Sequence, residues 1–120
     1  MMEEITVYFD VYNGLPFDVT GQAFVTDGNY VPIKQLFDDG GTTILSGIPN
    51  ANGKVEEATH SELIVHLDHN DIETFRNRNA MYIIVYTEGL TYNNGNQFVK
   101  VFTSNSMNIN VYTNLNITLN

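Results

Sequence analysis

The sequence predicts an all-β domain: an antiparallel β-sandwich of about eight strands, Ig-like or jelly-roll-like, with one short helix near residues 71–77. Three observations point there. Apolar and polar residues alternate with period two in segment after segment, as a half-buried strand requires. Turn-forming clusters such as Asn13-Gly14, Asp27-Gly28-Asn29, Asp38-Asp39-Gly40-Gly41 and Asn93-Asn94-Gly95 separate those segments. Only one stretch carries helix start and stop signals.

Taken in order, Ile5, Val7, Phe9 and Val11 alternate with Thr6, Tyr8, Asp10 and Tyr12, which gives a first strand with one aliphatic and one Tyr-bearing face. Asn13-Gly14 ends it, and a second strand follows from about Asp18 to Thr26, with Val19, Gly21, Ala23 and Val25 on one side. Gly21 marks a bulge or a close backbone approach. Tyr30 to Ile33 returns beside the second strand, and Pro32 confines it to an edge. Thr42 to Leu45 is a short strand; residues 46–58 form a long polar connection of a length more often functional or mobile.

Ser61 to Asp68 alternates again, Leu63, Val65 and Leu67 against Glu62, Ile64, His66 and Asp68. Asn70 reads as a helix N-cap with Glu73 three residues on, Ile72 and Phe75 share a face, and Arg76 and Arg78 suit the C-terminal end. Met81 to Thr87 is the most continuously apolar run and is expected as a central strand buried on both faces. Phe98 to Thr103 is expected as its hairpin partner.

The last segment, Met107 to Asn120, has the longest alternation. Met107, Ile109, Val111, Leu115, Ile117 and Leu119 share one face with Thr113; Asn108, Asn110, Tyr112, Asn114, Asn116, Thr118 and Asn120 share the other. Laid straight it spans roughly 40 Å, against about 35 Å for a compact domain of this length. It therefore bends near Thr113-Asn114 into a second sheet, or its end leaves the domain to pair with a neighbour; we expect the second.

Composition narrows the function. The 120 residues suit a single domain, 1–120. With no cysteine there is no disulfide framework, thiolate metal site or cysteine nucleophile. Five Lys+Arg against fourteen Asp+Glu give a formal charge of −9, which repels nucleic acid and anionic membrane. Met1-Met2-Glu3-Glu4 has no basic region, no apolar run of signal-peptide length follows, and no segment approaches a membrane span. We expect synthesis in the cytoplasm without a signal peptide, and no membrane insertion.

No Gly-x-Ser-x-Gly elbow or Ser/His/Asp arrangement is present, so no catalytic residue is assigned and the chain is expected not to be an enzyme. His60 and His66 lie about 20 Å apart along a strand, too far for one ion; His66 with Asp68 and His69 are the residues that could share one, and the face of His60, Glu62, His66 and Asp68 most economically reads as a solvated strand face. The two Asp-Gly turns lack the twelve-residue calcium pattern, so no metal and no cofactor are assigned, with a calcium-stabilised surface domain kept as an alternative. Tyr8, Tyr12 and Tyr112, with the Asn row Asn108, Asn110, Asn114 and Asn116, make a candidate flat platform for a partner protein or a glycan. Leu115, Ile117 and Leu119 are the candidate contacts at the strand's projecting end.

The runs Val11-Tyr12-Asn13-Gly14-Leu15-Pro16-Phe17, Thr59-His60-Ser61-Glu62-Leu63-Ile64-Val65 with the helix after it, and Phe98-Val99-Lys100-Val101-Phe102-Thr103 resemble β-sandwich domains of Bacteroidetes-type surface proteins. The resemblance implies the fold and carries no active-site residue. In its acidic, Asn-rich character the chain is also similar to small accessory structural proteins of bacteriophage virions. The expected function is thus a non-catalytic structural subunit of a phage virion or a bacterial cell-surface assembly. Its partners would be copies of itself or larger subunits, and the alternative is a glycan- or protein-binding module.

Overall fold

The computed structural model describes residues 2–89 and 106–118. Their elements run β1 (Met2–Asn13), β2 (Val19–Asp27), β3 (Pro32–Gln35), β4 (Thr42–Ile44), β5 (Thr59–Leu67), α1 (His69–Asn77), β6 (Ala80–Gly89) and β7 (Met107–Thr118). Two antiparallel sheets form an all-β, sandwich-like fold. One is three-stranded in the order β5-β1-β7; in the other β2 is central, with β6 along one edge and β3 and β4 sharing the opposite edge. The expected hairpin partner at Phe98 to Thr103, its Asn93-Asn94-Gly95 turn, Leu119 and Asn120 lie outside the described residues.

The alternation decides which side of each sheet is dry. Val7, Phe9 and Val11 of β1 face Val19, Ala23 and Val25 of β2, and Leu67, Ile44 and Leu36 complete the buried cluster. Each such aliphatic or aromatic side chain contributes roughly 1.5–3 kcal/mol by leaving water. Phe9 and Phe37 meet with ring centroids 5.4 Å apart at 57°. Gly21 proves to be a close approach: a Cβ there would lie 3.0 Å from Ile44 Cδ1, and the bulges fall instead around Thr26. Across the turn after β3, Gly41 has φ +79, and its added Cβ would sit 2.5 Å from the Gly21 carbonyl oxygen, so the position demands glycine on both counts.

Three expectations are corrected. The described end of β7 does not leave the domain, as its length leads us to expect, nor does the strand cross at Thr113-Asn114 into a second sheet. It pairs with β1 without interruption from Asn13↔Met107 to Met2↔Thr118, because β1 begins at Met2 and is as long as its partner. The far end of β7 is therefore paired inside the chain. Second, β6 is not buried on both faces: Met81 is 64% and Tyr86 59% exposed. No layer of the described residues covers its outer side, where Tyr82 stacks on Tyr30 and Tyr86 stands edge-on to Phe24. Third, the helix cap is Asp68, two residues earlier than Asn70. Asp68 Oδ1 accepts from the Asp71 backbone N–H at 2.9 Å while the Asp71 carboxylate accepts from the Asp68 N–H at 3.0 Å, closing a reciprocal capping box.

α1 is fastened to both sheets. Ile72 is buried and Phe75 packs against the core. Arg76 Nη2 donates to both oxygens of the Glu3 carboxylate on β1, at 2.6 Å to Oε1, and Lys34 Nζ on β3 lies 2.9 Å from Asp71 Oδ1.

The long connection is folded rather than loose. Pro49 bridges Val55, the Asn50 N–H donates to the Lys54 carbonyl at 2.8 Å, and Asn50 Oδ1 accepts from the backbone N–H groups of Asn52 and Lys54. Val55 is buried beneath it. At the base, fully buried Asn13 donates from Nδ2 to the carbonyls of Phe17 and Leu45 and accepts at Oδ1 from the Leu15 N–H.

Candidate functional site

Alternation and register together build one surface. The outward residues of β1 are Thr6, Tyr8, Asp10 and Tyr12, and the two ladders set each of them between one residue of β5 and one of β7. The rows across the sheet read His66, Thr6, Asn114; Ile64, Tyr8, Tyr112; Glu62, Asp10, Asn110; and His60, Tyr12, Asn108. Tyr8, Tyr12, Asn108, Asn110, Tyr112 and Asn114 thus share the face on which the sequence placed them.

The rings on this face are paired instead of tiled side by side. Tyr8 and Tyr112 are 4.8 Å apart between centroids with planes 8° from parallel, and Tyr12 and His60 are 4.5 Å apart at 14°. One face of each ring is therefore committed to its neighbour. His60 Nε2 lies 3.0 Å from Asp10 Oδ1, which holds the imidazole against Tyr12, and His66 Nδ1 is hydrogen-bonded to Thr6 Oγ1 at 3.2 Å. The Tyr112 phenol is pushed above its ordinary value, first by desolvation and then by the negative charges of Asp10 and Glu62.

The other candidate residues separate from these. Val111 and Leu115 lie on the opposite side of β7, toward the second sheet, and are 43% and 56% exposed. Among the β7 side chains that are described, Met107 and Ile109 are the ones on the expected dry face that pack on the core. Asn116 and Ile117 pair by backbone with Glu4 and Glu3. Among the described residues, β7 has a partner strand on its β1 side alone.

Sequence reasoning treated His60 as part of a solvated face and did not single out Asp10. The available signal was that both occupy even positions of alternating strands, but which even positions meet depends on a register that neither strand encodes by itself. His66, Asp68 and His69 are engaged separately, with Thr6, the helix cap and Glu73. Among the described residues no three His, Cys, Asp or Glu side chains converge as a metal site. The Asp27 carboxylate accepts from the Asn29 and Val31 N–H groups, and Asp39 accepts from Gln35 Nε2, so both acidic turns use their oxygens in holding the turn. Among the described residues no helix is long and apolar enough to cross a membrane. Comparison of the chain with protein-family models, with curated proteins and with solved structures finds no match in any of the three.

Proposed function

We propose that the chain is a non-catalytic structural subunit that joins further copies of itself through β7, as part of a virion or cell-surface assembly. One observation carries the reading. β7 is a twelve-residue strand bearing no charged residue and no proline, paired on one side among the described residues, with Val111 and Leu115 exposed beside its edge. Edge strands of that length are ordinarily blunted by Lys, Pro or a bulge, because their free backbone groups invite another strand. Between Ile5, Val7, Phe75, Ile83 and Thr113 the apolar space between the sheets also opens outward as a recess of about 190 Å³. A second copy laid along β7 would cover both the edge and the neighbouring apolar side chains, without desolvating a charge on this strand.

Sedimentation velocity over a concentration series tests this. The full chain is expected to associate, and the double variant Val111→Lys, Leu115→Lys to remain folded by circular dichroism and sediment as a monomer. A full chain that stays monomeric at the highest attainable concentration overturns the reading, as does a double variant that associates like the parent.

A further inference from the structure

We propose that the end of the three-stranded sheet, where Tyr12 and Asn108 meet the 54–58 segment, is a binding cleft for a neutral sugar chain, on a surface separate from β7's exposed apolar side. The cleft holds about 370 Å³ and is lined by Tyr12, Lys54, Glu56, Glu57, Ser106 and Asn108 among others. That volume is in the range of small-molecule sites, roughly 300–1,000 Å³.

Its parts are held in place from three directions. Tyr12 is clamped on one ring face by His60, itself fixed by Asp10, so the ring is pre-oriented at its place in the cleft wall. Asn108 is the cross-strand neighbour of Tyr12, at the start of β7. That start is anchored where the Gly14 N–H donates to the Ser106 carbonyl at 2.8 Å, an approach so close that a Cβ on Gly14 would lie 2.8 Å from the same oxygen. The opposite wall follows the Pro49–Val55 bridge and is pinned by the buried Val55 side chain. Tyr12 and the backbone of both walls are thus pre-ordered for a ligand.

The chemistry selects the occupant. A pyranose offers an apolar C–H face that suits an aromatic ring, and adjacent hydroxyls that suit carboxylate, amide and hydroxyl groups. Tyr12 supplies the ring; Glu56, Glu57, Asn108 and Ser106 supply acceptors and donors. A lipid or drug-like apolar ligand would find one ring and little other apolar wall. A phosphate or nucleic acid would meet the two glutamates and a chain of formal charge −9. A basic peptide is the competing occupant, and it would depend on charge.

The full chain is tested by isothermal titration against maltohexaose, cellohexaose, mannohexaose and chitohexaose, and against an oligolysine peptide, at low and high salt. At least one neutral oligosaccharide is expected to bind with little salt dependence. Tyr12→Ala is expected to weaken it roughly tenfold, from the loss of one stacked ring, while Tyr12→Phe keeps most of the affinity. Asn108→Ala, at an exposed position, is a second variant with its own expected loss should Tyr12→Ala fold poorly. The monomeric Val111→Lys, Leu115→Lys variant is expected to bind as the parent does. The proposal is overturned if no neutral oligosaccharide binds, if binding is indifferent to both Tyr12→Ala and Asn108→Ala, or if the peptide alone binds and is released by salt.

Discussion

Tyr112 lies directly across the β1–β7 ladder from Tyr8, its ring 4.8 Å away and 8° from parallel. The two rings belong to the first and last strands described, so their contact ties together segments far apart in sequence. A stacked cross-strand pair is worth about 0.5–1.5 kcal/mol beyond the area it buries. Urea unfolding of Tyr8→Ala, Tyr112→Ala and the double variant is expected to show a coupling of that size. Single costs that simply add would mean the stacking contributes nothing of its own.

The Glu3–Arg76 pair predicts how stability responds to acid. Arg76's hydrogen bond holds the Glu3 carboxyl below its ordinary 4.5, outweighing the burial that raises it, with Arg76's charge adding to the lowering. A carboxyl depressed in the folded state stabilises fully above its unfolded value and loses that contribution as pH falls through the lower folded value. Asp71 is lowered too: burial pushes it up, but hydrogen bonds from Lys34 and the Asp68 backbone more than offset this. Melting temperature should therefore fall as pH drops below about 4.5. Glu3→Gln should melt lower than the parent at neutral pH and show a shallower acid slope; an unchanged slope would remove Glu3 from the account.

Asn13 is fully buried with each of its polar atoms used, so replacing it strands backbone groups. Asn13→Ala leaves the Phe17 and Leu45 carbonyls and the Leu15 N–H without their partner, at a cost of roughly 3 kcal/mol in denaturant unfolding. Asn13→Asp keeps the acceptor for Leu15 but turns an oxygen toward two carbonyl oxygens. It is expected to be no better than alanine at neutral pH and to recover partly in acid. If either variant unfolds like the parent, the Asn13 hydrogen bonds are not what holds the base of the 46–58 connection.

Faces were legible in the sequence and neighbours were not. The odd positions Val7, Phe9 and Val11 announced the core, and Tyr8, Tyr12 and Tyr112 announced a common outer surface, because period two is a local property of strand geometry. That His60 would stack on Tyr12, and that Asp10 would hold it, depended on the β1–β5 register, a pairing across fifty residues of sequence. β6 misled for a different reason. A run such as Met81-Tyr82-Ile83-Ile84-Val85-Tyr86 reads as doubly buried when every large side chain is counted as apolar, yet tyrosine tolerates a half-wet face and here meets other aromatics on the outside. The cap at Asp68 escaped because Asn70 offered an equally plausible start two residues later, and which residue turns the chain depends on where β5 ends.

The ladder from Met2↔Thr118 to Asn13↔Met107 also governs when the fold can form. During synthesis β1 emerges first and can zip onto β5 once Leu67 is out, but its other edge waits until β7 has been made. At about 5–20 residues per second that interval lasts several seconds, with Phe9 and its neighbours resting on half a sheet. Pairings so distant along the chain are the slow kind, since the loop must close before any contact rewards it. Expression yield should therefore respond more to chaperone supply and translation rate than the final thermodynamic stability alone would suggest.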